Sequence, residues 1–285
     1  MASEHITSSA PADGKVPMRV LVLGLPRTNT TSLTSALRTL GYKPYTMRHL
    51  ATNPSHIEAW QSAVSSTAHT TNLPLPIKDI LSSHDAIADL PGCMFAPQLI
   101  AAYPDAKVIL TTRRYEAWQK SMQDSIWVLL TWRLFQVSRI TGLSELAPLI
   151  RLLHALFLRH NGCQFDSPET RESYERHNEL IRELVPRDRL LEIDAEDDVG
   201  WREVCGFLGV EQPDRAYPRL KEDAGMRKGL EKTWMKMLEY VVMMVVLLGL
   251  VVVGFVALYV YSDELRSARD VYVLRPMKEY LDGKK

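Results

Sequence analysis

Residues 24–32, Gly-Leu-Pro-Arg-Thr-Asn-Thr-Thr-Ser, put one guanidinium and four hydroxyls into a single short run. The five residues before it (RVLVL) are aliphatic and β-branched, the composition of a buried parallel strand. After it, Leu33, Ala36, Leu37 and Leu40 fall at i, i+3, i+4 and i+7, one apolar helical face, and Gly41 stands where a helix C-cap is expected. A loop that leads from a buried strand into a helix offers backbone N–H groups without intrahelical partners and the positive end of the helix dipole, and both favour a phosphate. Arg27 adds a charged planar fork, and Thr30, Thr31 and Ser32 add hydroxyl donors. Phosphate capture is therefore the chemistry open to this run. A plain strand-to-helix turn capped by Thr28 or Asn29 would use the same residues without a ligand.

Two nucleotide patterns do not fit. With Gly24 as the first glycine of G-x-x-x-x-G-K-[ST], Asn29 stands for the second glycine and Thr30 for the lysine that reaches the β and γ phosphates. No G-x-G-x-x-G is present either. What fits is a loop that holds a terminal monophosphate without a bound metal. Further on, Arg113 follows a strand-like run (KVILT, residues 107–111), Ser121 lies eight residues later on the next helical stretch, and Asp89 precedes Leu90-Pro91.

These residues resemble the sulfotransferases. Pro26, Arg27, Thr28, Asn29, Thr30, Thr31 and Ser32 look like that family's 5′-phosphosulfate loop, with Arg27 at the cation position, and Arg113 with Ser121 is similar to its 3′-phosphate clamp. Asp89 sits where sulfotransferases carry a catalytic histidine before Leu-Pro, and residues 190–210 resemble the family's late strand and helix ending in F-L-G. The likeness covers about residues 18–218 and is greatest to fungal-type sulfotransferase-like proteins, which often end in a hydrophobic helix. It implies 3′-phosphoadenosine 5′-phosphosulfate as donor, no metal, and transfer of a sulfuryl group to a hydroxyl of a lipophilic acceptor. Asn29 replaces the family's glycine; asparagine is the side chain best able to take a positive φ, so the turn is expected to survive. Ile87 replaces the lysine that cytosolic members hold two residues before their histidine. Arg227-Lys228-Gly229 with Trp234 resembles a late 3′-phosphate element, broken by Lys232 and Thr233, and doubles as a basic membrane flank. Asp89 is either the general base or a helix cap, with His84 and His49 as reserve bases. The changes at Asn29, Ile87 and Asp89 leave two rivals open: a fold reused for cyclisation or elimination on a natural product, and a non-catalytic membrane scaffold.

The elements that must position these residues alternate. Strand-like runs at 19–23, 86–88, 107–111 and 189–193 are separated by helical patterns at 30–40, 56–66, 95–102, from 115, 167–184 and 201–208. That order predicts an α/β domain with a parallel sheet covered by helices on both faces. Residues 125–160 are helical and rich in Trp, Leu and Phe, which suits either a helical cover or a greasy acceptor pocket. The expected organisation is a disordered lead-in (1–16), the α/β domain (17–220), a linker (221–239), a membrane helix (240–262) and a short tail (263–285).

Residues 240–262 carry no charge and, at about 1.5 Å per residue, suffice to cross a hydrocarbon core about 30 Å thick. Tyr240, Tyr259 and Tyr261 lie near the ends, where aromatic rings favour the lipid–water boundary. Basic residues flank both sides, so orientation does not follow from them; the late position of the run leads us to expect a single-pass tail anchor with the main domain in the cytosol. With 34 basic and 34 acidic residues the chain has no net charge, which gives no support for general nucleic-acid binding and requires any anion site to be local. Cys93, Cys163 and Cys205 form no metal pattern, and their odd number argues against a disulfide framework. Nothing in the sequence indicates an oligomeric state.

Overall fold

The computed structural model describes residues 16–66, 71–142, 144–220 and 222–282, so the expected lead-in, apart from Val16, lies outside the described residues. The centre is a five-stranded, all-parallel sheet of β1 (Val20–Val22), β2 (Pro44–Tyr45), β3 (Ala86–Ala88), β4 (Lys107–Thr112) and β5 (Leu190–Asp194), in the order β2-β3-β1-β4-β5. In register, Val22 faces Ala88 on one side and Ile109 on the other. The carboxyl end of β1 therefore lies between those of β3 and β4. The chain leaves β1 towards β2 and leaves β4 towards β5, so these neighbours diverge, and such a switch point is where open α/β sheets bind ligands.

Helices α1 (Thr30–Thr39), α2 (Met47–Thr52), α3 (Pro54–Ser66), α4 (Leu75–Leu81) and α5 (Ala96–Ala102) link the first four strands, with a 3₁₀ turn over Gly92–Phe95. After β4 come α6 (Tyr115–Gln123), α7 (Val128–Thr131), α8 (Arg133–Thr141), α9 (Ala147–Asn161) and α10 (Pro168–Leu184); α11 (Trp201–Leu208) follows β5. Strand residues of period two feed both faces. Val20, Val22, Ala86, Ala88 and Ile109 pack with Leu33 and Leu37 of α1 and with Val204 and Leu208 of α11. The alternate residues Leu21, Ile87, Val108 and Leu110 are just as buried, and α10 packs on β4 and α5. Left-handed glycines end the helices as expected: Gly41 (φ 86°) after α1 and Gly209 (φ 71°) after α11.

The stretch 125–160 is three helices rather than one long one, because Trp132 is extended between α7 and α8 and Gly142 is left-handed after α8. Trp127, Phe135 and Phe157 are fully buried and form part of a helical cover, whereas Trp132, Val137, Ile140 and Leu158 are exposed.

Leu230 and Glu231 divide the chain into two compact units. Helix α12 (Glu222–Arg269) runs for 48 residues, so the stretch expected as a linker is itself helical from Glu222 on. A π-helical turn (Asp270–Leu274) and α13 (Arg275–Asp282) follow. The most apolar 18-residue window here has a mean hydropathy of 3.1 and buries none of its residues, so the helix is long and apolar enough to cross a membrane.

Candidate functional site

The candidate phosphate loop leaves β1 at Leu23, whose N–H donates to Ile109 O of β4 at 3.0 Å. Gly24 follows because nothing larger fits: a Cβ there would lie 2.0 Å from Thr111 Oγ1 and 2.3 Å from its carbonyl oxygen. The loop then turns through two left-handed residues, Arg27 (φ 73°) and Asn29 (φ 67°). Asn29 thus adopts the positive φ expected of it, and as the α1 N-cap it makes no side-chain capping bond. Thr28 is not the cap either. Its hydroxyl donates to Leu25 O at 2.6 Å and shares a 2.6 Å bond with Thr111 Oγ1, which ties the loop to β4.

Three residues separated in sequence meet at this loop. Arg27 is only 5% exposed and donates from Nε to Ser121 Oγ at 2.9 Å. Arg113, one residue past β4, donates from Nη1 to Arg27 O at 3.3 Å. Trp118, three residues before Ser121 on the same face of α6, donates from Nε1 to Pro26 O at 2.9 Å. Tyr174 of α10 holds Arg113 in turn: its hydroxyl accepts from Arg113 N at 2.9 Å and donates to Arg113 O at 2.5 Å. Burial above all keeps that phenol's pKa above its ordinary value. Arg113 Nε is buried without a hydrogen-bond partner, a cationic donor in reserve. Thr30 and Thr31 open α1, whose first turn has no acidic residue; Thr30 is buried and Thr31 exposed. Ser32 is engaged elsewhere, because its hydroxyl accepts from Leu220 N at 3.0 Å.

Asp89 follows β3 at a left-handed φ of 67°, one residue beyond the Ala88 that pairs with Val22, so the same edge of the sheet carries it beside the loop. Its backbone carbonyl accepts from Cys93 N at 3.2 Å. The 3₁₀ turn and α5 that follow have Pro91 and Phe95 as N-caps, and neither makes a side-chain capping bond. Burial first, and then the Asp89 carboxylate, push the Cys93 thiol well above its usual range. Ile87 is a fully buried core residue whose Cδ1 lies 2.6 Å from where a Gly92 Cβ would stand. Apolar packing thus occupies the position of the family's lysine.

The reserve bases lie elsewhere. His49 and His84 pack edge to face at 5.2 Å, and at the β2 edge His49 stacks on Tyr45 while His84 meets that ring edge-on; burial lowers both pKa values below the ordinary imidazole value. The side chains of Arg227 and Lys228 lie outside the described residues. No group of three or more His, Cys, Asp or Glu suited to a metal occurs among the described residues.

The surroundings of the loop differ in charge. Towards β5, a cleft of about 310 Å³ beside Asn29 and Ser32 is lined by Asp194, Glu196, Asp197 and Asp198, the last paired with Arg219. Arg27 and Arg113 lie on the β4–α6 side. Sequence reading missed the residues that hold the loop and Arg113: Thr111, Trp118, Tyr174 and His177, whose Nε2 bonds Leu23 O at 2.8 Å. The one local signal for them was helical spacing, Trp118 with Ser121 and Tyr174 with His177.

Over residues 19–226 the chain matches the sequence profile of a family described as a sulfotransferase domain. It is similar to the Ava biosynthesis cluster protein M of Aspergillus versicolor, at 36% identity over 249 residues that span 83% of this chain and 95% of that one. Among solved structures it is similar to a sulfotransferase from Alicyclobacillus acidocaldarius, at 16% identity and a TM-score of 0.39, over 78% of this chain and 93% of that one.

Proposed function

The chain belongs to the sulfotransferase domain family, and from that premise we propose that it moves a sulfuryl group from 3′-phosphoadenosine 5′-phosphosulfate to a hydroxyl of a lipophilic small molecule. The observation that carries this reading is the bond from Arg27 Nε to Ser121 Oγ at 2.9 Å, with Arg113 on the Arg27 carbonyl: the loop cation and both members of the 3′-phosphate pair form one cluster. The donor set suits a polyanion, since it joins a partnerless buried Arg113 Nε to a helix N-terminus free of acidic residues in its first turn. The acidic cleft towards β5 disfavours the same anion there, so the phosphates belong on the Arg27 and Arg113 side.

On this reading Thr30, Thr31 and the first N–H groups of α1 hold the 5′-phosphate, and Arg113 with Ser121 holds the 3′-phosphate. When bound, the donor supplies an electrophilic sulfuryl group next to a good leaving group. Arg27 balances the negative charge that grows on the bridging oxygen as its bond to sulfur breaks, an interaction stronger in the transition state than in the ground state. Asp89 takes the proton from the acceptor hydroxyl as the new oxygen–sulfur bond forms. No metal is called for.

A calorimetric titration of the full chain in detergent micelles with 3′-phosphoadenosine 5′-phosphate, beside adenosine 5′-phosphate, tests this. The first ligand should bind at least about tenfold tighter, and Arg113→Ala should remove the difference, in line with a charged hydrogen bond of roughly 1.5–3 kcal/mol. Equal affinities would sink the donor assignment.

A second reading has its own support. The relative named for a biosynthesis cluster, together with the apolar packing of Ile87 where the family holds a lysine, favours a pocket reused for cyclisation or elimination on a natural product. Such an enzyme needs Asp89 but no sulfate donor. For the C-terminal unit we propose a tail anchor that leaves the main domain in the cytosol, supported by the long apolar helix.

A further inference from the structure

Helix α8 turns an apolar face to solvent. Arg133, Val137 and Ile140 fall at i, i+4 and i+7 on its exposed side, while Phe135 and Ser138 on the other side are buried. Val137 is 50% exposed and Ile140 72%. Trp132, the N-cap of α8, is 48% exposed, and its ring stacks on that of Phe135 with centroids 6.2 Å apart. That contact holds the indole at the surface beside the two aliphatic side chains.

The charge around this face has one sign. Residues 125–160 carry Arg133, Arg139, Arg151 and Arg159 against a single acid, Glu145. Arg151 Nε donates to Arg139 O at 2.8 Å, which sets α9's arginine beside that of α8, and Arg139 Nε donates to Gln136 Oε1 at 2.9 Å. None of Arg133, Arg139 and Arg151 forms a salt bridge among the described residues. On α10, by contrast, Arg171, Arg176 and Arg182 are each paired with a glutamate.

An apolar outer face, an indole at the helix start and arginines without carboxylate partners at its margins are the make-up of an interfacial helix. The apolar side chains enter the headgroup boundary and the guanidiniums meet anionic headgroups. The face is also joined to the candidate site by packing: Trp127, just before α7, meets Trp118 edge to face at 5.5 Å, and Trp118 holds Pro26 O. We propose that, with the chain held at a bilayer by residues 240–262 as read above, α8 docks on an anionic lipid surface through Trp132, Val137 and Ile140. This is a second membrane contact, made by the cover of the α/β domain and separate from the C-terminal helix.

The test uses the full chain reconstituted in vesicles of phosphatidylcholine with or without phosphatidylserine. A nitrobenzoxadiazole label is placed at Ile140→Cys in a Cys163→Ser chain, since Cys93 and Cys205 are buried. Doxyl-labelled lipid should quench that label by about twofold or more when phosphatidylserine is present and clearly less when it is absent. Arg133→Glu together with Arg139→Glu, or raised salt, should remove the phosphatidylserine-dependent part. Absent quenching, or quenching that is equal in both vesicle types and unmoved by charge reversal and salt, overturns the proposal. A blue-shifted emission without lipid quenching does so too, by placing a second copy of the chain on α8. If the charge-reversed variant does not fold, the salt titration of the labelled chain decides. Alkaline extraction of the same vesicles reads the anchor by itself: a chain that is retained but not quenched keeps the anchor and loses the docking, and one that is quenched but then extracted keeps the docking and loses the anchor.

Discussion

Two residues of the loop set its shape by conformation alone. Asn29 is held at φ 67°, a region that costs little for asparagine and nothing for glycine. Asn29→Gly should therefore leave the melting temperature unchanged or slightly higher, whereas Asn29→Val should cost about 1–2 kcal/mol. Gly24 is constrained by space. Gly24→Ala drives a methyl against the Thr111 backbone, 2.3 Å from its carbonyl oxygen, so a loss of about 3 kcal/mol or more is expected in chemical denaturation. Asp89 shows how far a single residue can be read in sequence. Its place before Leu-Pro left cap and base equally open, and the N-caps of the two turns that follow, Pro91 and Phe95, make no side-chain capping bond of their own.

At the scale of elements, α6 and α10 hold the loop against β4. Trp118→Phe keeps the ring packing but strands Pro26 O in a buried position, which should lower stability by about 1–3 kcal/mol and weaken nucleotide binding in the same titration. The α9–α10 contact makes stability depend on pH. His160 and His177 titrate at about 3 and about 4 when folded, below the ordinary 6.5, because burial disfavours their charged forms. Above pH 6.5 both are neutral in the folded and unfolded chain and contribute no dependence. As pH falls from 6.5 towards 4, the unfolded chain takes up protons that the fold refuses, and stability drops by up to roughly 1.4 kcal/mol per unit for each group. Thermal melts between pH 4 and 8 should show that decline, and His177→Asn should make it about half as steep.

For the whole molecule, the C-terminal helix is long and apolar enough to cross a membrane, and the proposed tail anchor can be tested directly. A chain anchored through residues 240–262 should stay with membranes through alkaline extraction, and deletion of those residues should release it. With the tail-anchor orientation, a glycosylation acceptor added after Lys285 should be modified and one added before Met1 should not; the reverse pattern would place the main domain in the lumen.

Four of the five strands, most of the helices, the position of the loop and the long apolar run were legible in the sequence because each depends on neighbours a few residues away: period two, period 3.6, a glycine after a helix, 23 uncharged residues in a row; the two-residue β2 and the short α2 and α4 are too brief to show a period and were missed. What the loop touches was not legible. Arg27 meets Ser121 across 94 positions, Thr28 meets Thr111 across 83 and Leu23 meets His177 across 154. Thr28 was a candidate helix cap and Ser32 a candidate phosphate donor, yet the Thr28 hydroxyl is spent on β4 and that of Ser32 on Leu220. Those outcomes follow from the strand order, which sets β1 between β3 and β4 and brings the ends of three distant segments to one edge. Strand order arises from the joint burial of both sheet faces, a property of the packed molecule that no local stretch of sequence carries.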